Sequence, residues 1–235
     1  MMHDRASADS PSGTQSTVAP CTPALLVDDG GGPCDLDGAE VQARFGVELS
    51  LQIHFDDDEV RRAVTRDAER AAEHRANRRL LDRYGQDLIE PARLLERVYV
   101  GDAGALGHGL FAVDALRNDT VVAIYTGDIQ RDQGINRHDP YLVSYHRSFR
   151  CPNGLFCRAS DFDLDLSAQR RGGPARWING SKSQPPNLQV QVVAHDGLFW
   201  PLLTTTRRVA RGEQLKWDYG EAYWISWGHA VEHLD

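Results

Sequence analysis

The chain has 235 residues, 41% of them hydrophobic, and its 34 Asp and Glu outweigh 26 Lys and Arg to give a formal charge of −8. That length holds one domain with an appendage or two small ones, and the apolar share is enough for a core. No run approaches the ~18 apolar residues of a membrane helix, the start lacks the apolar stretch of a secretory signal, and the acidic balance argues against a general nucleic-acid binder.

A soluble intracellular protein of cytoplasm or nucleus is therefore expected, with no membrane and no direct nucleic-acid partner, and basic partners suit its charge. Residues 1–40 are rich in Ser, Thr, Pro, Gly and Asp and include Asp28-Asp29-Gly30-Gly31-Gly32-Pro33. Such a segment has few groups to bury against its ordering entropy, which predicts a disordered tail. From Phe45 the pattern changes, and Val47, Leu49, Leu51, Ile53 and Phe55 alternate with polar residues as in a half-buried strand.

Asp56, Asp57, Asp58 and Glu59 then read as a helix N-terminus, where acids meet free N–H groups. Val60, Val64, Ala68, Ala72, Ala76 and Leu80 recur every four residues, predicting one helix to about Tyr84 with Gly85 as C-cap. Its other faces carry Arg and Glu, the mark of a solvated helix packed on a main domain. Pro91 interrupts the pattern, and a second unit is expected from about Val98.

Between residues 98 and 224 the chain reads as short β-prone runs, clearest at 121–125, 188–193 and 199–206, with no long amphipathic helix. Cys21, Cys34, Cys151 and Cys157 lack the two-residue spacing of structural zinc sites. They read as ordinary thiols, with a shared disulfide or metal at Cys151 and Cys157 as the alternative, and no metal site is expected.

Four motifs carry the chemistry. They are Gly107-His108-Gly109-Leu110-Phe111-Ala112, Tyr125-Thr126-Gly127-Asp128-Ile129, Ala175-Arg176-Trp177-Ile178-Asn179-Gly180-Ser181, and Arg211-Gly212-Glu213-Gln214-Leu215-Lys216-Trp217-Asp218-Tyr219-Gly220. In order and spacing they resemble the SET-domain protein lysine methyltransferases over residues 98–224. A glycine turn followed by a strand has no such meaning alone, and no helix follows it as dinucleotide binding would need.

The resemblance implies a mainly β fold with some α: small curved sheets around a knot-like C-terminal crossing, preceded by the strand and charged helix of residues 41–97. It also implies S-adenosyl-L-methionine as methyl donor and a lysine-bearing, basic protein or peptide, with a histone among the candidates, as substrate. Tyr219 matches the family's catalytic tyrosine and Tyr125 the second tyrosine of the lysine channel. Gly107, His108, Gly109 and Leu110 match the loop that cradles the donor, with His108 contributing its backbone. Asn179, Gly180, Tyr141 and Tyr223 match further donor contacts, and Trp217 stands where a Phe or Tyr commonly limits how many methyl groups are added.

This sequence departs from the pattern in several places. Asp128 replaces a glutamate, Gly180 replaces the usual histidine, and the turn between Asn179 and Asn187 is two residues longer than usual. In place of the cysteine-rich module that follows the domain in many relatives, residues 225–235 with Trp227 are expected to close the site. Asp161, Asp163 and Asp165 suggest an acidic lip for a basic peptide, or else a solvated loop. Lys182 and Lys216 are the only lysines against a wealth of arginine, which points to a GC-rich coding sequence and, for a delivered bacterial effector, to action inside a host cell. The alternative function is a catalytically degenerate SET-like scaffold, to which Gly180 and the long turn point.

Overall fold

A computed structural model describes residues 23–28, 30–131, 139–145, 163–181 and 185–220. The elements in chain order are β1 (Leu25–Asp28), β2 (Cys34–Leu36), α1 (Gly38–Phe45), β3 (Glu48–Leu49), β4 (Ile53–Phe55), α2 (Asp58–Ala72) and α3 (Arg75–Ile89). After a 3-10 turn at Pro91–Arg97 come β5 (Val98–Asp102), β6 (His108–Ala112), β7 (Val121–Ile124), β8 (Gly127–Arg131), β9 (Leu142–Ser144), β10 (Leu164–Ser167) and β11 (Arg171–Gly172). A second 3-10 turn at Pro174–Trp177 leads to β12 (Asn179–Gly180), β13 (Leu188–His195), β14 (Leu198–Thr205) and β15 (Lys216–Trp217).

The strands form five small sheets, in the orders β2-β1-β5-β6, β4-β8-β10-β9, β11-β3, β12-β15 and β13-β14-β7. The runs expected at 121–125, 188–193 and 199–206 are β7, β13 and β14, which pair antiparallel. One main core fills the space between the sheets, with Leu110, Val122, Leu166, Leu203 and Leu215 fully buried. No helix among the described residues is long and apolar enough to cross a membrane.

Three sequence expectations need correction. Within the tail expected to be disordered, Leu25 and Val27 are fully buried, and β1 runs parallel to β5. Two inward-facing residues of a four-residue strand, Leu25 and Val27, suffice once a neighbouring strand supplies the hydrogen bonds, a tertiary gain that composition does not register. The single strand from Phe45 divides into β3 and β4, because the Ser50 hydroxyl accepts the Gln52 N–H at 3.2 Å and bends the chain. The bend sends β3 to β11 and β4 to β8, both parallel. As β1 also joins β5, no structural boundary lies at residue 98.

The long helix is two. Asp57 caps α2 by accepting from Glu59 and Val60, and the helix ends at Ala72. His74 starts α3, which runs through Gly85 to Ile89, so Gly85 is an interior residue and not a cap. The break lets each helix reach its own target. Val60, Val64 and Ala68 of α2 join the main core, while Tyr84 of α3 belongs to a second cluster with Leu94, Val121, Val193 and Leu202.

Asn77 fixes α3 to β13. Its Nδ2 donates to the Ala194 carbonyl and its Oδ1 accepts the Ala194 N–H, both at 2.8 Å, and it is 7% exposed. The Tyr84 hydroxyl also donates to Asp119, which Arg83 pairs, at the turn leading into β7. Truncating Asn77 leaves a buried N–H and a buried C=O without partners, a cost of about 1–3 kcal/mol for each such group. Asn77→Ala is therefore expected to lower the urea midpoint without changing the denaturant slope, in an unfolding titration followed by tryptophan fluorescence.

Candidate active site

The last motif reaches the centre of the molecule through a crossing. β12 lies parallel to β15, with Asn179 opposite Lys216 and Gly180 opposite Trp217. The Ser181 N–H continues the pairing to the Trp217 carbonyl at 3.0 Å. Glycine in place of the usual histidine thus leaves the backbone pairing of the crossing intact.

Asn187, 3% exposed, clasps the same segment. Its Nδ2 donates to Glu213 Oε1 at 3.1 Å and to the Gln214 carbonyl at 2.8 Å. Its Oδ1 accepts the Lys216 N–H at 2.8 Å, and its own N–H donates to the Lys216 carbonyl at 3.1 Å. The sequence reading used this residue only as a spacing mark. A small amide just before a strand and after two prolines was the available signal, since such residues commonly take up backbone partners where a ladder stops.

The glycine turn lies beside the crossing. Gly107 has φ 74° and ψ −115°, outside the regions open to an L side chain, and a Cβ there would meet nothing within 4 Å. Gly109 is the opposite case, since a Cβ would lie 2.5 Å from Gln214 Nε2 and 3.2 Å from Asn179 Nδ2. Asn179 Nδ2 donates to the His108 carbonyl at 3.1 Å, tying the turn to the start of the crossing. His108 is exposed and has its ring edge-on to Phe45, whereas Leu110 is fully buried and its carbonyl accepts the Leu215 N–H at 2.8 Å. The Leu110 side chain therefore packs in the core.

Three aromatic side chains converge at the crossing. The Trp217 ring stands edge-to-face to Tyr125 at 6.3 Å and to Tyr219 at 5.7 Å between centroids. The Tyr125 hydroxyl donates to the Tyr141 carbonyl at 2.7 Å, and the Tyr219 hydroxyl donates to the Ile178 carbonyl at 2.5 Å. With their protons on backbone carbonyls, both oxygens keep lone pairs to accept hydrogen bonds.

Tyr141 is held by partners that the motifs did not single out. Its N–H donates to Asp139 Oδ1 at 2.9 Å, and the Ser167 hydroxyl donates to Asp139 Oδ2 at 2.5 Å. The Arg176 guanidinium lies 3.6 Å from the centroid of the Tyr141 ring. Burial pulls the Arg176 pKa down, against the pull of Tyr141, Tyr125 and Asp139 in the other direction. Arg176 was visible inside the third motif, but its stacking partner was not.

Tyr223, Trp224, Trp227, Cys151, Cys157 and Asp161 lie outside the described residues. Asp165 cannot belong to an acidic lip, because it is 6% exposed within β10, opposite Gln130, and of the two described acids Asp163 is the exposed one. Asp128, in place of the glutamate, forms an ion pair with Arg171 at 3.0 Å and with Arg170 at 3.3 Å.

Glu213 at the crossing is poised between opposing effects. Burial raises its pKa, and this is outweighed by Arg207 at 2.7 Å, the Ala210 N–H and the Asn187 amide, so the carboxyl sits below its ordinary value of 4.5. A depressed carboxylate stabilises the fold above its unfolded pKa and loses that contribution as pH falls through the folded value. Thermal melts from pH 7 down to 3 should show the wild type losing stability below about pH 4.5. Glu213→Gln should start less stable and fall less steeply over that interval.

Residues 107–220 match the SET domain family. Histone-lysine N-methyltransferase 2D of Homo sapiens and of Mus musculus are each 31% identical to the chain over 122 residues, 52% of this chain and 2% of theirs. Histone-lysine N-methyltransferase trr of Drosophila melanogaster is 28% identical over 122 residues, 52% of this chain and 5% of its own. The chain thus spans a small fraction of the length of these relatives. The crystal structure of ATXR5 in complex with mono-methylated histone H3.1 aligns with a TM-score of 0.58 at 20% identity, covering 78% of this chain and 85% of that one, which shows a shared fold. With four motifs in order, a strand crossing that joins the last two, and this match, residues 107–220 of the chain form a SET domain.

Proposed function

We propose that the chain is a protein-lysine N-methyltransferase, with S-adenosyl-L-methionine as donor and a lysine in a basic protein segment as acceptor. One observation carries the reading: Tyr125, Trp217 and Tyr219 converge at a crossing whose other strand begins with Asn179, bonded to the glycine turn. A scaffold has no physical need for two hydroxyls anchored beside an aromatic wall.

The residues beside the turn suit the polar end of such a donor. Gly107 offers main chain without a Cβ, and Gln214 Nε2 is buried beside Gly109 with no hydrogen-bond partner among the described residues. An orphaned amide next to the Asn179 amide calls for an acceptor. Gly107, His108, Gly109, Asn179 and Gly180 would hold the donor, which would supply a methyl group activated on a sulfonium.

The protein's own task is to present an uncharged amine. A lysine of pKa about 10.4 is almost fully protonated at neutral pH, and an aromatic channel disfavours the charged form by desolvation. Its proton leaves to solvent, since the two tyrosine hydroxyls are arranged as acceptors. The Tyr125 and Tyr219 oxygens accept from the remaining amine N–H groups and aim the nitrogen lone pair along the line of transfer. Trp217 closes the wall between them and limits the room for a methylated amine.

The formal charge of −8 favours a basic substrate, and a histone tail is the substrate class in keeping with the names of the relatives. Calorimetric titration with S-adenosyl-L-methionine is expected to show binding that Tyr219→Phe leaves within about threefold, since the hydroxyl acts in the transfer step. Transfer to core histones, read by mass spectrometry, should fall about 100-fold in the same variant. Donor binding by neither protein would overturn the enzyme reading and favour a scaffold.

A further inference from the structure

We propose that Phe45, at the end of α1 and outside the matched domain, is a positioning residue that braces the donor-binding turn. The inference rests on the donor reading above and extends it to an element that none of the four motifs includes. Phe45 is half-buried, and its ring reaches the two segments that carry the donor residues. It meets His108 edge-to-face, with centroids 5.1 Å apart and planes at 88°, and Trp177 at 5.3 Å and 66°.

Those two neighbours are the places where bracing matters. His108 belongs to the turn, and its carbonyl is the acceptor for Asn179. Trp177, 7% exposed, lies two residues before Asn179 in the same 3-10 turn and strand. One aromatic ring therefore spans the interval that the Asn179–His108 hydrogen bond also spans. Within the turn itself the bonds are local, from the Ala103 N–H to the Gly107 carbonyl at 2.7 Å, from the Gly107 N–H to the Gly104 carbonyl at 2.9 Å and from the Gly104 N–H to Asp102 Oδ1 at 2.8 Å. Gly107, with open space around its missing Cβ, gives the turn little resistance to rearrangement.

The ring is itself held in place. Asp37 and Glu40 form a reciprocal capping box at the start of α1, Val41 is fully buried, and Gly46 at φ 67° ends the helix directly after Phe45. Two residues later the chain enters β3, which pairs in parallel with β11, Glu48 opposite Arg171 and Leu49 opposite Gly172. β11 runs on into Pro174–Trp177, so the register of this one strand pair sets Phe45 against Trp177. Arg44, with its guanidinium 5.5 Å from the ring centroid, covers Phe45 further.

Without the ring the turn has more conformations to lose when donor binds, and affinity falls, while the tyrosines of the transfer step are untouched. Phe45→Ala is expected to raise the dissociation constant for S-adenosyl-L-homocysteine about tenfold, in line with two lost aromatic contacts. At saturating donor, kcat should stay within about twofold, because the loss is one of binding. Phe45→Tyr, which keeps the ring, should restore most of the affinity.

Leu80→Ala, in the second core cluster, serves as the control for stability alone. It should lower the melting temperature while leaving donor affinity at the wild-type value. Wild-type affinity in Phe45→Ala, or an equal loss of affinity in Leu80→Ala, would overturn the assignment while leaving the donor reading in place. Failure of the wild type to bind either S-adenosyl-L-methionine or its demethylated product would overturn the donor reading itself, and the assignment with it.

Discussion

Everything at the site depends on holding together two strands too short to hold themselves. β12 and β15 share two residue pairs, Asn179 with Lys216 and Gly180 with Trp217. So short a parallel ladder is marginal by its own hydrogen bonds, since the strength of a sheet comes from number and from packing. Asn187 makes up the deficit, with four hydrogen bonds from one residue to Glu213, Gln214 and Lys216. From the other side the Leu215 N–H bonds to Leu110, and Leu215 is fully buried. The aromatic group and the glycine turn are therefore fastened to one another through main chain, and Trp217 cannot shift without disturbing both.

In this arrangement the backbone pairing at position 180 needs no histidine. An imidazole there could add a side-chain contact, but the pairing runs through the Trp217 carbonyl and the Ser181 N–H, which any residue retains. The same reasoning applies to Asp128 in place of a glutamate. Its carboxylate is engaged by Arg170 and Arg171, which follow β10 and open β11, so the shorter side chain still ties β8 to the segment leading to Asn179. These departures alter side chains at places where the backbone or an arginine can take over.

Legibility in the sequence followed the range of the interactions. The strands of the hairpin β13–β14, the cap at Asp57 and the order of the motifs are local patterns, and local patterns can be read in one dimension. β1 could not be read, because Leu25 and Val27 become a strand only when β5 lies alongside them. The division of α2 from α3 was hidden for a related reason. The four-residue repeat runs on through both, and only the demand of Asn77 for Ala194 and of Tyr84 for Asp119 makes a turn at His74 worthwhile. Tyr125, Trp217 and Tyr219 could be singled out by motif, but the contact of Tyr125 with Trp217 spans most of the matched region and appears only in three dimensions.

The weaving of the first third of the chain into the sheets changes what the domain is. A SET match that begins at residue 107 suggests a self-contained module with an appendage in front. Yet β1 pairs with β5, β3 with β11 and β4 with β8, so three of the five sheets are incomplete without residues 25–55. Edge strands β5 and β8, left bare by removing them, would expose unpaired backbone beside the buried residues Val100 and Ile129. The α3 helix then covers β13 through the Asn77 clasp and the Tyr84 cluster, while α2 adds Val60, Val64 and Ala68 to the main core. The folding unit is thus larger than the four motifs, and the geometry of a site built from residues 107–220 is set in part by residues that precede them.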